Sequence, residues 1–300
     1  MSKVKVLMVL LICILLFASG VYVFSRLAGR KPPNTNPVSD WPKIGPTSPA
    51  STPSAPPAAP FAKAGTPPAR KESLAAEPRF LLRQGETLEY NANLPKLNST
   101  IADLKIVASE KRNADSKGGA WHLQAFAHTE NPYRMVFPLD DQFDSYSNDG
   151  SMTSLQYEMH LNERGQKVDS IERMLASPSD PPPEGASAVR VPPGTRDPLG
   201  MLQYLRSVDW NSISEVRSPV FDGRKLYDVR AVLVDKATPV NVPAGNFNTT
   251  KIELHVSDNG TEMKDAHFLL YLTNDTSRLP VLLEAVLPVA TARVELTKTH

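Results

Sequence analysis

The densest group of potential metal ligands lies in the stretch LDDQFDSYSNDG, which carries Asp140, Asp141, Asp144 and Asp149. Carboxylate oxygens are the ligands that Ca²⁺ prefers in proteins, so a calcium site is the chemistry that this composition could support. The spacing of the four aspartates does not follow the order of an EF-hand loop, and the SNDG ending is typical of a hairpin turn. We therefore interpret the SNDG ending as a hairpin turn and predict no metal site in the chain.

The histidines offer a second possible set of metal ligands. His122 and His128 would lie on the same face of one predicted strand. Six residues of extended chain span about 20 Å, which is too far for one metal ion to bridge. His160, His255 and His267 stand singly within other predicted strands. We interpret all five as side chains on the solvent face of a sheet.

The chain lacks the common motifs of catalytic and nucleotide-binding sites. It contains no G-x-S-x-G, no H-E-x-x-H, no phosphate-binding glycine loop and no cysteine pair. The single cysteine, Cys13, lies in an apolar run, where it is typical of a small apolar side chain. The net charge of +1 gives no reason to expect a nucleic-acid partner. We expect a non-enzymatic protein without a cofactor.

The first 31 residues resemble a membrane-targeting segment. Residues 6–25 carry no charged side chain, and a helix of this length, at about 1.5 Å per residue, is long enough to cross a bilayer. The apolar run is longer than the central region of most cleaved signal peptides, which favours an uncleaved signal anchor over residues 1–31. A secretory signal that is cleaved near Gly20 remains the alternative.

A proline-rich segment follows, from residue 32 to residue 78. It holds 13 of the 28 prolines of the chain, interleaved with alanine, serine and threonine. Such a composition cannot bury enough apolar surface to offset the entropy of ordering, and proline lacks the N–H that helices and sheets require. The segment is therefore predicted to be a disordered linker that holds the rest of the chain away from a bilayer.

Residues 79–300 have the pattern of a β-rich domain. Short alternating runs, separated by turn residues, predict strands in GETLEYNANL, TIADLKIVASEKR, AWHLQAFAHTE, SLQYEMHLNERG, QKVDSIERML, ISEVRSPVF, RKLYDVRAVLVD, PVNV, TKIELHVSD, AHFLLYLTND, PVLLEAVLPV and ARVELTK. The short connections indicate an antiparallel sheet rather than βαβ units. We predict a mainly β fold with a curved antiparallel sheet of about eleven strands, forming a half-barrel or open barrel.

One or two short helices are expected to cover this sheet. In TRDPLGMLQYLRSVDW, Asp197 suits the N-cap and Pro198 the first helical position. Leu199, Leu202 and Leu205 recur along one face of that helix, so the helix needs an apolar surface to pack against. The stretch NPYRMVFPLD predicts a shorter and weaker helix.

The segment VNVPAGNFNTTKIELHV raises a problem of strand parity. Ile252, Leu254 and Val256 fall on one parity and Phe247 on the other, so one flat strand cannot direct all four side chains into one core. A β-bulge or corner between Gly245 and Thr250 removes this mismatch. We therefore expect this segment to shape a curved sheet and to take no part in chemistry.

The candidate functional surface is apolar. The leucines of the predicted helix, Leu199, Leu202 and Leu205, and three aromatic residues of the strands, Trp121, Tyr157 and Phe247, could line a groove between helix and sheet. A groove of this kind could hold an acyl chain. The alternative is that the same residues form only a hydrophobic core.

Several runs resemble the exported bacterial proteins of domain-of-unknown-function family 3108. They are VPPGTRDPLGMLQYLRSVDW, SPVFDGRKLYDVRAVLVDKATPVNVPAGNFNTTKIEL and LTNDTSRLPVLLEAVLPVATARVEL, with GETLEYNANLPKLNSTIADLKI and DDQFDSY before them. The resemblance covers about residues 80 to 298. It implies a location in the cell envelope and a mainly antiparallel fold, and it transfers no catalytic residue. The layout is also similar to the half-barrels of lipoprotein carriers, which shelter acyl chains under a helical lid.

These observations together predict a single-pass protein of the bacterial inner membrane with its C-terminal domain in the periplasm. The expected function is non-enzymatic binding of a lipid, an acyl chain or a lipoprotein. The alternative is an envelope interaction or assembly factor that binds another protein and no small molecule.

Overall fold

The computed structural model describes residues 82–111, 119–177, 187–263, 266–287 and 290–300. The predicted signal anchor, residues 1–31, and the predicted linker, residues 32–78, lie outside these described residues. Within the described part, no helix has both the length and the apolar character to cross a membrane.

The described residues form fourteen β-strands and one α-helix. The strands are β1 (Thr87–Leu94), β2 (Ser99–Lys111), β3 (Ala120–Thr129), β4 (Asp140–Asn148), β5 (Ser154–Glu163), β6 (Gln166–Leu175), β7 (Ser187–Arg190), β8 (Glu215–Phe221), β9 (Leu226–Val242), β10 (Gly245–Asp258), β11 (Thr261–Glu262), β12 (His267–Thr273), β13 (Pro280–Val286) and β14 (Thr291–Thr299). The helix is α1 (Pro198–Ser207). The mainly β class predicted from the sequence is confirmed.

All the strands belong to one sheet, which does not close on itself. Their order is β7-β6-β5-β4-β3-β2-β1-β14-β13-β12-β10-β9-β8, and the short strand β11 pairs with β10. Every pairing is antiparallel except that of β7 with β6, which is parallel. The pairing of β1 with β14 joins the two ends of the domain in the middle of the sheet.

The sheet is strongly curved. Phe143 of β4 and Phe268 of β12 line one cavity, although six strand-to-strand steps separate β4 from β12 in the sheet order. At about 4.8 Å per step, a flat sheet would hold these strands almost 30 Å apart. The concave face therefore wraps around the cavity, and α1 lies within it.

The prediction of about eleven strands was too low. The acidic stretch, in which we predicted only the SNDG hairpin turn, forms β4, a central strand between β3 and β5, and the turn follows it at residues 149–151. Strands β7 and β11 have only four and two residues, too short for an alternating pattern to show. Two runs that we predicted as separate strands, RKLYDVRAVLVD and PVNV, are one continuous strand, β9. The stretch predicted as a second helix forms a 3₁₀ turn of three residues, Tyr133–Met135.

The segment before α1 links two strands that are far apart in the sheet. The backbone N–H of Ser154 in β5 donates to the carbonyl of Thr195 at 3.0 Å. Arg196 exchanges backbone hydrogen bonds with the edge strand β8, donating to Pro219 at 3.0 Å and accepting from Phe221 at 2.8 Å. This short bridge spans the side of the half-barrel at which the strands do not pair.

The predicted corner is a tight hairpin followed by a bulge. Val242 pairs with Gly245 across the turn, and Gly245 has a φ of +136°, a backbone conformation that favours glycine. The register of β9 against β10 shifts between Thr249 and Ile252. The shift lets Phe247 pack against the core although its parity differs from that of Ile252, so the parity mismatch in the sequence correctly indicated a bulge.

The four aspartates weighed as calcium ligands do not converge. Asp141 points into the core, whereas Asp140 pairs with Arg134 at 2.8 Å and Asp149 accepts a hydrogen bond from the backbone N–H of Gly119 at 3.0 Å. Asp141 accepts a hydrogen bond from the backbone N–H of Asn162 through Oδ1 at 2.8 Å, while its buried Oδ2 has no partner among the described residues. Burial raises the pKa of the Asp141 carboxyl to about 7.

This raised pKa predicts that Asp141 destabilises the domain at alkaline pH. The folded state holds the proton at pH values at which the unfolded chain, with a pKa of about 3.9, has released it. The contribution of Asp141 to the free energy of unfolding therefore falls as the pH rises from about 4 to about 7. We expect Asp141→Asn to be more stable than the wild type at pH 8, by on the order of 1 to 3 kcal/mol, and to lose that advantage at pH 4.

Urea unfolding of both proteins at pH 4, 6 and 8 tests this prediction. Asp228→Asn, the same substitution at an exposed aspartate, is measured beside it as the matched control. A stability advantage of Asp141→Asn that does not change between pH 4 and pH 8 would show that the Asp141 carboxyl does not titrate in this range.

Candidate functional site

The N-terminus of α1 is fixed by the predicted cap. Oδ1 of Asp197 accepts a hydrogen bond from the backbone N–H of Gly200 at 2.8 Å, and Pro198 occupies the first turn. Oδ2 accepts hydrogen bonds from the hydroxyls of Ser145 and Ser154, which belong to β4 and β5. Burial raises the pKa of the Asp197 carboxyl, and these donors act against that rise. The cap therefore joins the helix to the sheet.

A buried ion pair holds the C-terminal half of α1. The guanidinium of Arg206 contacts both carboxylate oxygens of Glu86, at 2.6 and 3.1 Å. The two side chains are only 2% and 8% exposed. Arg206 also donates to the side chain of Gln203 at 2.8 Å and to the carbonyl of Ser277 at 3.1 Å. Because both charges are paired out of water, this contact is sensitive to the loss of either partner.

The last carbonyl groups of the helix are also paired. Nη1 of Arg278 donates to the carbonyl oxygens of residues 206–208, the closest at 2.6 Å. Nε1 of Trp210 donates to the carbonyl of Leu205 at 2.9 Å. A cation at this position also interacts favourably with the negative end of the helix dipole. Helix α1 is thus a fixed roof over the concave face, held at both ends.

Beneath this roof lies an apolar cavity of about 100 Å³. Its lining comes from α1 and from strands on both sides of the sheet: Tyr90, Leu104, Ile106, Ala125, Ala127, Phe143, Pro198, Leu199, Leu202, Leu205, Leu254, Phe268, Leu270, Pro280, Leu282, Leu283 and Val294. The one polar side-chain group in this set, the hydroxyl of Tyr90, donates to the carbonyl of Pro280 at 2.9 Å. The cavity can therefore recognise a ligand by shape and apolar contact.

The size of the cavity limits what it can hold. An engineered protein cavity of about 150 Å³, lined by similar side chains, stays dry and binds benzene. A cavity of about 100 Å³ therefore suits a narrow apolar group such as part of one hydrocarbon chain. Pro198, Leu202 and Leu283 are the partly exposed members of the lining, whereas the others are buried.

The structure brings together the three leucines that the sequence placed on one helix face. Leu199, Leu202 and Leu205 all line the cavity. Leu199 and Leu205 are buried, and Leu202 is partly buried against the core. The three-residue spacing of these leucines, close to one helical turn, thus predicted that they share one face of the helix.

The three aromatic residues that we grouped with them lie elsewhere. Tyr157 of β5 is fully buried beside Phe143, with 6.4 Å between the ring centroids, and its hydroxyl has no partner among the described residues. Trp121 of β3 and Phe247 of β10 are partly buried against the core. None of the three belongs to the lining of the cavity.

Small residues on the inner face of β3 are the part of the lining that the sequence analysis missed. Ala125 and Ala127 point inward from the run AWHLQAFAHT, with the polar or exposed residues Gln124 and His128 on the opposite parity. A methyl side chain fills little space, so two alanines on one inner face leave room below the helix leucines. The signal available in the sequence was the pair of alanines on one face of this predicted strand, which indicated that the space above them is not filled by large side chains.

The sequence profile of the DUF3108 family, described as a protein of unknown function, matches residues 89–297. The chain belongs to this family. The match spans nearly all of the sheet and α1, in agreement with the resemblance that the sequence suggested. No curated protein matches the chain.

Three solved structures follow a similar chain path at low sequence identity. A β-barrel-like DUF1849 protein from Brucella abortus is 10% identical, with a TM-score of 0.44 over 72% of this chain and 97% of its own. A protein from Bacteroides fragilis, described as exported and with a YmcC-like fold, is 11% identical, with a TM-score of 0.34 over 73% and 96%. A protein from Parabacteroides distasonis, described as a lipoprotein, is 12% identical, with a TM-score of 0.35 over 74% and 98%.

Proposed function

We propose that residues 79–300 form a periplasmic domain that binds a single apolar chain, such as an acyl chain of a lipid or lipoprotein. In this proposal, residues 1–31 tether the domain to the inner membrane and residues 32–78 let it reach away from the bilayer. The observation that carries the proposal is the apolar cavity between α1 and the concave face of the sheet.

The composition of the lining favours binding over catalysis. Its side chains are aliphatic or aromatic, and the hydroxyl of Tyr90 is engaged by the carbonyl of Pro280. Burial also raises the pKa of the Tyr90 hydroxyl, which keeps that group protonated. An apolar ligand in this cavity gains dispersion contacts with these side chains. It also leaves water, which stabilises the complex by about 25 cal/mol for each Å² of apolar surface buried.

The fixed roof determines how a ligand would enter. Both ends of α1 are held by buried polar contacts, at Asp197 and at Arg206. Movement of the whole helix would break these contacts, so the side chain of Leu202, which is partly exposed, is the more easily displaced part of the lining. We expect a chain end to enter beside Leu202 and to widen the cavity by changing side-chain rotamers.

Native mass spectrometry of the full-length chain, purified from its host in a mild detergent, tests the proposal. We expect a fraction of the protein to retain one lipid or fatty acid of discrete mass, which exchanges when an excess of another fatty acid is added. Retention of a protein subunit in place of lipid would favour the alternative, an envelope interaction or assembly factor. A ligand-free spectrum that does not change on addition of fatty acid would contradict the proposed function.

A further inference from the structure

A group of metal-ligating side chains lies on the outer face of the sheet, opposite to the cavity. Asp144 of β4 stands directly across from Glu158 of β5, and His160 follows two residues later on the same face. One ligand atom from each of the three side chains lies within 4.8 Å of the ligand atoms of the other two. We call these three residues the outer-face cluster.

The histidine of the cluster is oriented by a second carboxylate. Nδ1 of His160 contacts Oδ1 of Asp169, on the neighbouring strand β6, at 2.8 Å. Its other ring nitrogen, Nε2, faces Glu158 with 3.3 Å to Oε2. Histidines that bind metals usually have one ring nitrogen on the metal and the other on a carboxylate, which fixes the tautomer and the direction of the ring. Asp169 is in the position of that outer carboxylate.

Neighbouring side chains also orient the carboxylate of Asp144. Nε2 of Gln124 donates to its Oδ1 at 2.8 Å, and Nε2 of Gln142 donates to its Oδ2 at 2.7 Å. Nε2 of His122 contacts Oδ1 at 2.7 Å. Asp144 is almost fully buried by these neighbours. A carboxylate held in one direction loses less entropy when it binds an ion.

The cluster is already a place that favours positive charge. The carboxylates of Asp144, Glu158 and Asp169 surround the imidazole of His160. At another histidine of the outer face, His128, a cation is already present, because Arg134 contacts the Asp140 carboxylate that faces this histidine. The two sites therefore differ in their capacity to accept a metal ion.

We propose that Asp144, Glu158 and His160 bind one Zn²⁺ ion, with Asp169 orienting His160. Two carboxylates and one imidazole are ligands that Zn²⁺ accepts, and three protein ligands leave a fourth position for water or an anion. The nitrogen ligand disfavours Ca²⁺ and Mg²⁺, which prefer all-oxygen sites. In a tetrahedral site with bonds of about 2.0 to 2.1 Å, neighbouring ligand atoms lie about 3.3 Å apart. His160 and Glu158 already have that separation.

The outer-face cluster forms only through the pairing of β4 with β5, and Asp169 reaches His160 through the pairing of β5 with β6. Our interpretation of His160 as a single histidine of the solvent face missed Asp144 and Asp169 because they lie on neighbouring strands. The site is independent of the apolar cavity, since Phe143, which is adjacent to Asp144 in β4, points to the opposite face and lines that cavity.

Competition with a chromophoric zinc chelator, using the full-length chain without an affinity tag, tests the proposal. We expect the wild type to take up one equivalent of Zn²⁺ with a Kd in or below the micromolar range, near −8 kcal/mol in binding free energy. His160→Gln should weaken the binding at least tenfold. Asp169→Asn should weaken it by about 10-fold to 100-fold, because loss of an outer carboxylate has effects of that size.

His128→Gln is the matched control and should bind zinc as the wild type does. Circular dichroism and the urea midpoint of each variant establish that the fold is retained, as expected for a side chain such as His160 that is partly exposed. The proposal is overturned if the wild type takes up no zinc at a free Zn²⁺ concentration of about 100 μM, which is roughly 100 times the highest expected Kd. It is also overturned if His160→Gln and His128→Gln bind zinc equally well.

Discussion

Replacement of Glu86 with alanine should lower the free energy of unfolding by about 3 to 5 kcal/mol. The substitution leaves the guanidinium of Arg206, which is 2% exposed, without a carboxylate partner inside the domain. The remaining acceptors of Arg206, including Gln203 and the carbonyl of Ser277, are neutral and cannot replace the lost charge. Because Glu86 precedes β1 and Arg206 lies in α1, the loss should also loosen the roof of the cavity.

The matched control breaks an ion pair of the surface. Arg217 contacts Glu215 at 3.0 Å, but the Arg217 side chain is 62% exposed. Arg217→Ala should therefore cost less than about 1 kcal/mol. Equilibrium unfolding in urea, with both variants and the wild type under the same conditions, gives the comparison. Similar small losses for Glu86→Ala and Arg217→Ala would contradict a structural role for the buried pair.

The local part of this structure could be predicted from the sequence. Asp197 followed by Pro198 marks a helix start, and leucines at every third position mark one face, because capping and helical periodicity depend on neighbouring residues alone. The parity conflict between Phe247 and Ile252 indicated the bulge for the same reason. These signals led to α1 and to the common face of Leu199, Leu202 and Leu205.

The features of the structure that the sequence did not predict depend on contacts between residues that are distant along the chain. Glu86 and Arg206 form their ion pair across 120 residues of sequence. Strand β4 has few large apolar residues, and several of its polar side chains have partners on β3, β5 or the cap of α1. Trp121 was predicted to line the groove only because it is aromatic. Aromatic character does not show which part of a concave face is filled by side chains and which part is an open cavity.

Leu202→Asp should reduce the affinity for an apolar chain at least tenfold, which corresponds to about 1.4 kcal/mol or more. The substitution places a carboxylate in the lining of the cavity, and a bound chain would have to strip water from that charge. Leu202 is partly exposed, so the carboxylate can remain hydrated when no ligand is bound. The same change at the buried Leu199 or Leu205 should instead unfold the domain.

Leu97→Asp is the control for an added charge that lies outside the cavity. Leu97 lies in a 3₁₀ turn between β1 and β2 and is 51% exposed. Urea unfolding of both variants separates a loss of binding from a loss of fold. A fall in stability of Leu202→Asp that accounts for its whole loss of binding would show that Leu202 belongs only to the core.

The most direct test of the apolar cavity as a binding site is a fluorescence titration of residues 79–300 with cis-parinaric acid. The titration is run on the wild type, Leu202→Asp and Leu97→Asp at equal concentrations of folded protein. We predict saturable binding of one equivalent by the wild type and by Leu97→Asp, and a Kd at least tenfold higher for Leu202→Asp, as a loss of about 1.4 kcal/mol requires. Equal affinities for all three proteins, or no saturable binding by the wild type, would contradict the assignment of this cavity to an acyl chain.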